Sequence, residues 1–298
     1  MNNVVKPFFS IVIPTLNEEY YLPLLLNDLA NQTFNNFEVI VVDAESGDKT
    51  LEKAKNFEDK FSKISLITSK KRNVSHQRNL GAKSAISDWV VFMDADNRLS
   101  SYFLQGLKYR QELLNPDLLS TWIKPDSEDK KDKAAATFIN VIIDVQKTTT
   151  TPYLLESMLL VKKGVFTKLG GFDETLTWGE GSDLLRRLIK NNYKFSFVKD
   201  PKYTFSLRRL RKQGTFNTFR NVAQIELARL ANSEFSKKIS RRLYPMDGGK
   251  YFEAEDQPLA KIESILSKVL RSDLSNLQQP NFLNKIRKYL TKVFQNKD

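Results

Sequence analysis

D-W-V-V-F-M-D-A-D-N, residues 88–97, is the stretch whose reading decides the fold. Residues 89–93 form an unbroken apolar run rich in β-branched and aromatic side chains, the pattern of a strand buried on both faces. The run stops at two carboxylates, Asp94 and Asp96, with Ala95 between them. In a continuing strand an i, i+2 spacing puts both on one face; in a turn they converge on a point. The carboxyl end of a strand in an open α/β sheet is where ligands bind. Two hard oxygen ligands that leave coordination positions free suit Mg²⁺ or Mn²⁺ carrying a substrate diphosphate. A solvated acidic turn that merely stops a strand has the same letters, and such turns are common.

Upstream, residues 9–14 (F-S-I-V-I-P), 37–42 (F-E-V-I-V-V) and the shorter 64–68 have the same strand character. Helical patterns separate them. In residues 20–31, Leu22, Leu25, Leu26 and Leu29 share one face, and Pro23 falls in the first turn, where its missing N–H costs little. Residues 50–61 and 77–86 follow as helices, the second capped by Ser75 or a neighbour. This alternation predicts an α/β fold, a doubly wound, mostly parallel sheet flanked by helices. Asn17, Glu18, Asp43, Asp94 and Asp96 then gather along one rim at the strand ends. Taken singly, Asn17 and Asp43 would serve equally as helix caps. Polar residues at three successive strand ends make a purely structural account less economical.

Downstream, the pattern predicts a helix over 99–114, a strand over 118–123 and an exposed loop over 125–133. A helix over 134–145 has an apolar face broad enough to rest on the sheet or on a membrane. Residues 147–152 read as a linker or acceptor-side loop, 157–161 as a strand, and 163–169 as a short helix ended by Gly170 and Gly171. Residues 195–198 read as one more strand. His76, the only histidine, falls in a basic loop beside the rim, within reach of a phosphate.

The chain has 298 residues, no cysteine and a net charge of +12. Without cysteine there is no disulfide framework, thiolate metal site or thiol nucleophile. The amino terminus lacks the order of a signal peptide, and no apolar run approaches a membrane span. A cytoplasmic protein, peripheral on the inner face of the membrane, is the expectation. The positive surplus attracts nucleotide diphosphates, anionic lipid or nucleic acid. No nucleic-acid-binding motif accompanies it, so nucleic acid is the weakest of the three.

P-T-L-N-E-E at 14–19, V-V-D-A-E-S-G-D-K-T at 41–50, R-N-L-G-A at 78–82, V-F-M-D-A-D at 91–96 and G-G-F-D-E-T-L at 170–176 together resemble the family 2 glycosyltransferases of the GT-A fold. The resemblance runs over roughly residues 8–200 and implies a metal-dependent, inverting enzyme that uses a UDP- or GDP-sugar donor. Its acceptor would be a hydroxyl of a glycan or of a lipid-linked intermediate in cell-surface glycan or glycolipid assembly. Pro14, Thr15, Asn17, Glu18 and Asp43 would contact the nucleoside. Asp94, Ala95 and Asp96, as the Asp-x-Asp motif, would hold ribose and the diphosphate with its Mg²⁺ or Mn²⁺, and Arg78 would join the donor side. At residue 44, where many members carry a second acidic residue, this chain has alanine.

Inverting transfer needs a carboxylate that takes the proton of the attacking hydroxyl. The family carries Glu-Asp at the start of a helix for this purpose; here the letters are Glu180 and Gly181. Glu180, nearest the missing aspartate, or Asp183 is then the base. The structural alternative is that both merely favour the helix dipole. Trp178 would stack on an acceptor sugar or pack in the core. Arg208 and Arg209 open a run of four cations ending at Lys212. They would clamp the departing diphosphate, or present a basic surface to anionic lipid.

Residues 1–250 are expected to form the GT-A domain, with a nucleotide-binding half (1–98) and an acceptor half (99–250). Residues 251–298 read as a helical basic tail, with Phe282, Ile286, Tyr289, Leu290, Val293 and Phe294 at helical spacing. Two rival functions remain: a decayed basic scaffold, which Gly181 favours, and a nucleotidyltransferase. Against the second, P-T-L-N-E-E lacks a glycine-rich phosphate loop.

Overall fold

The computed structural model describes residues 6–147, 152–213 and Lys237. The linker at 148–151 and the tail at 251–298 lie outside the described residues. In chain order the elements are β1 (Phe9–Thr15), α1 (Leu22–Ala30), β2 (Phe37–Asp43), α2 (Thr50–Lys55), β3 (Ile64–Thr68), α3 (Val74–Ser84) and β4 (Trp89–Met93). There follow α4 (Phe103–Leu114), β5 (Leu118–Pro125), α5 (Lys130–Gln146), β6 (Met158–Lys162), α6 (Lys163–Lys168), α7 (Glu180–Lys190), β7 (Phe195–Phe205) and α8 (Arg208–Gln213).

Seven strands form one sheet in the order β3-β2-β1-β4-β6-β5-β7. β1, β2, β3 and β4 are mutually parallel, β6 runs antiparallel between β4 and β5, and β7 is parallel to β5. The expected mostly parallel sheet flanked by helices is therefore present. Period-two alternation along buried strands feeds two cores. Ile11, Ile13, Val39, Val41 and Met93 face one side with the leucines of α1; Val12, Ile40, Val42 and Phe92 face the other with Phe166, Phe172 and Leu185. α3 lies close enough to the sheet that a Cβ on Gly81 would sit 2.3 Å from Val12 Cγ1. Only glycine fits that approach.

Element boundaries shift where side chains compete for the backbone. α3 begins three residues earlier than the pattern suggested because Asn73, not Ser75, is the cap. The Asn73 side chain accepts the His76 N–H at 2.8 Å, leaving Ser75 buried within the helix and His76 on it rather than in a loop. α4 begins at Phe103 rather than at residue 99. Asp28 holds the Leu99 N–H (2.9 Å) and the Arg98 guanidinium (2.6 and 2.8 Å), and the Arg98 backbone pairs with Thr204. α2 ends at Lys55, followed by a 3-10 turn at Glu58–Lys60.

The stretch at 125–133 is not wholly an exposed loop. Asp129 caps α5, and Asp126 and Asp132 both accept from Arg211. α5 rests on the sheet, where Asn140 takes the Ile123 N–H and donates to the Ile123 carbonyl, each at 2.9 Å. Among the described residues no helix is long and apolar enough to cross a membrane.

Candidate active site

The strand order reverses at β1, which has β2 on one side and β4 on the other. Ligands in such sheets bind beyond the carboxyl ends at that switch point. Pro14 and Thr15 end β1, Asp43 ends β2, and Asp94, Ala95 and Asp96 follow β4, so the structure brings them together. Asp43 is fully buried and ties the wall: it accepts from Thr15 Oγ1 (2.9 Å), Ser46 N–H (2.9 Å) and Ser46 Oγ (2.5 Å). Asn17 takes a left-handed backbone (φ 56°), which asparagine tolerates. It joins the two loops by donating its N–H to Ser46 Oγ and accepting the Gly47 N–H, both at 2.8 Å. Gln77, which the motifs did not single out, donates to the Thr15 and Val42 carbonyls at 2.8 and 2.7 Å, locking α3 under both strand ends.

Two arginines hold the acidic rim. Arg208, from α8, pairs with Glu18 Oε1 at 2.9 Å and Asp96 Oδ2 at 3.2 Å, its guanidinium 4.3 Å from the Tyr21 ring centroid. Arg78, 2% exposed, pairs with Asp94 Oδ1 at 2.7 Å and Glu180 Oε1 at 2.8 Å. Burial works against the Arg78 charge, but Asp94 and Glu180 more than offset it and hold the guanidinium protonated. Burial pushes Glu18 up to about 7 against the pull of Arg208, with the charges of Asp96 and Asp94 adding to the rise. Burial likewise raises Asp96, Arg208 opposing. Arg208 thus faces the rim, whereas Arg211 is turned onto Asp126 and Asp132, and Arg209 is exposed.

Glu180 opens α7 but is 6% exposed and committed to Arg78. Asp183 pairs along its own helix with Arg187 at 2.8 Å and Arg186 at 3.8 Å. Trp178 is half-buried. His76 Nδ1 lies 3.1 Å from both oxygens of Glu174 in the G-G-F-D-E-T-L segment. Burial of Glu174 is outweighed by Lys71, Asn79 and His76, which hold its carboxyl down at about 2. That cluster fastens the segment at 170–176 to α3.

Sequence reasoning missed Glu156. It belongs to no motif, and only the antiparallel course of β6 brings its entry to the rim: Met158 sits opposite Met93, and the Asp94 N–H donates to the Ser157 carbonyl at 3.0 Å. Glu156 Oε1 accepts the Gly181 N–H at 3.0 Å.

The rim chemistry fits a divalent cation bound together with a diphosphate. Asp94 and Asp96 offer hard carboxylate oxygens, and Glu18 Oε2 is buried beside them without a hydrogen-bond partner. Among the described residues no three acidic, histidine or cysteine side chains group to hold a metal by themselves. Mg²⁺ sites of this type draw one or two carboxylates from the protein and the rest from phosphates and water.

A switch-point rim of this kind on a sheet with one antiparallel inner strand is the GT-A glycosyltransferase arrangement, and the comparisons agree. The model for "Glycosyl transferase family 2" matches residues 10–170, more than half of the chain, so the protein belongs to glycosyltransferase family 2. An uncharacterized glycosyltransferase of Haemophilus influenzae is 28% identical over 61% of this chain and 62% of its own length. The poly(ribitol-phosphate) beta-N-acetylglucosaminyltransferase TarS of Staphylococcus aureus is 28% identical over 67% of this chain, which spans only 36% of TarS. The solved TarS fragment 1–349 with UDP-GlcNAc has a TM-score of 0.56 at 22% identity, covering 66% of this chain and 58% of the fragment. The mannosyltransferase PcManGT of Pyrobaculum calidifontis, in complex with GDP-Man and Mn²⁺, has a TM-score of 0.61 at 15% identity, covering 97% and 81%. At these identities the solved structures establish the fold alone.

Proposed function

We propose that the protein transfers a sugar with inversion from a UDP- or GDP-sugar to a hydroxyl of a glycan or lipid-linked acceptor in cell-envelope polysaccharide assembly. The observation that carries this reading is the placement of Asp94 and Asp96 beside Thr15 at the switch point between β1 and β4. The names of TarS and PcManGT support a nucleotide-sugar donor, and that of TarS a polymer of the cell envelope. The nucleoside would lie against Pro14, Thr15, Asn17, Glu18 and Asp43, and the diphosphate against the Asp94–Ala95–Asp96 turn. Mg²⁺ or Mn²⁺, held by Asp94 and Asp96, would supply counter-charge to the diphosphate. Arg78 orients Asp94, and Arg208, with Arg209 beside it, places cationic charge where the leaving group departs. A carboxylate at the start of α7, the position for which the sequence offers Glu180 and Asp183, would accept the hydroxyl proton.

A cytoplasmic site, in peripheral contact with anionic membrane, is the setting that the +12 charge supports. The test is nucleotide release from UDP-N-acetylglucosamine and GDP-mannose with and without Mn²⁺, and the anomeric configuration of the product. Asp96→Asn is expected to remove metal-dependent turnover while the protein still folds. Undiminished metal-dependent turnover in that variant removes the assignment.

A further inference from the structure

Gly181 lies inside the first turn of α7 in ordinary helical backbone, so its conformation does not call for glycine. Glycine in a helix costs about 1 kcal/mol relative to alanine. What requires it is Glu156: a Cβ at residue 181 would lie 2.6 Å from Glu156 Cγ and 3.2 Å from both Cδ and Oε1. The Glu156 side chain therefore occupies the space into which a side chain at 181 would project. The N–H of Gly181, one of the first-turn donors that a helix leaves without a helical partner, is directed at its carboxylate.

The backbone just beyond Glu156 is fixed to the acidic turn. Asp94 N–H and Asn97 Nδ2 both donate to the Ser157 carbonyl, and Ser157 Oγ meets the Tyr203 hydroxyl at 2.7 Å. Glu180, by contrast, is taken up by the Arg78 guanidinium, 2.8 Å from its Oε1. Among the described residues no cation is ion-paired to Glu156. Burial and the adjacent Glu180 charge push its carboxyl up, Arg78 opposing, so it holds a proton more firmly than an ordinary glutamate.

We propose that Glu156, entering from the amino end of β6, is the general base of transfer, and that Gly181 is the clearance that admits its carboxylate to the start of α7. This rests on the glycosyl-transfer reading above. As the acceptor oxygen bonds to the anomeric carbon, the carbon–oxygen bond to the diphosphate breaks and its electron pair leaves with the diphosphate. The acceptor proton passes to the Glu156 carboxylate and from there to solvent.

The experiment measures nucleotide release by the full chain from UDP-N-acetylglucosamine and GDP-mannose with Mn²⁺ and water as acceptor, alongside nucleotide binding by calorimetry. Glu156→Gln is expected to lower turnover by about two to four orders of magnitude, with nucleotide affinity unchanged. Gly181→Asp alone clashes with Glu156. The double variant Glu156→Ala with Gly181→Asp puts a carboxylate back into the cleared space and should recover at least about tenfold over Glu156→Ala, as expected for a positioned base. Recovery in the double variant supports the proposal even if Glu156→Gln folds poorly. Full turnover in Glu156→Gln overturns it while leaving the transfer reading intact, as does recovery no better than Glu156→Ala. A wild-type chain that binds nucleotide but turns over neither donor overturns both.

Discussion

Replacing Arg78 by methionine tests whether the acidic rim is held by a buried cation. The guanidinium is almost inaccessible and makes two short charge-assisted bonds, to Asp94 and Glu180, with the Phe172 ring centroid 5.5 Å away. The two bonds differ in worth. Glu180 is buried, and removing one partner of a buried pair costs about 3–5 kcal/mol because the other charge stays stranded. The Asp94 side chain is 32% exposed, so water takes over much of its solvation and its share is at most about 1 kcal/mol. The variant should therefore lose about 3–6 kcal/mol. At about 2–4 °C per kcal/mol for a domain of this size, its melting temperature should fall by roughly 6–24 °C.

The double variant Arg78→Met with Glu180→Met removes both charges. It should be more stable than Arg78→Met alone, because the Glu180 carboxylate is no longer left stranded. Chemical denaturation of the four proteins closes the cycle. An Arg78→Met protein within about 1 kcal/mol of wild type, or a double variant less stable than the arginine single, would refute the stranded-charge argument.

Three further outcomes are expected. Gly81→Ala forces a methyl group against Val12 and should cost about 1–3 kcal/mol in urea denaturation; an unchanged midpoint would mean that α3 sits farther from the sheet. Asn140→Ala strands the buried Ile123 N–H and carbonyl and should destabilise by about 1–3 kcal/mol, which Asn140→Asp would restore only partly because it offers no donor to the carbonyl. Glu38 is buried, which alone would raise its carboxyl, but the Ile86 N–H, Lys63 and Ser10 hold it below the ordinary 4.5. Its contribution is thus complete above about pH 4.5 and is lost as pH falls through the lower folded value. Glu38→Gln should trail wild type by about 1–2 kcal/mol at pH 7, and the gap should close in acid; a gap that is constant with pH would exclude this carboxylate as its source.

Much of the chain through β4 was legible in the letters. Buried parallel strands read as continuous apolar runs, and the polar residues that interrupt them stand at strand ends whatever the packing around them. Glu18, Asp43 and Asp94 could therefore be put on one rim without coordinates. The face of α1 was equally plain, because four leucines at helical spacing leave one choice.

The part of the chain after β4 was less legible, for a physical reason. Its groups meet through contacts between segments far apart in sequence, and no local periodicity records those. The pairing of Arg208 with Glu18 and Asp96 joins α8 to the first strand loop, and that of Arg78 with Glu180 joins α3 to α7. From the sequence, Glu180 was a free carboxylate at a helix start; packing made it the partner of a buried arginine. Gly181 looked like a lost aspartate, since nothing in a linear chain shows which side chain enters the space a glycine leaves. That depends on β6 running antiparallel to β4, a property of the sheet as a whole, and it is the sheet that brings Glu156 to the rim.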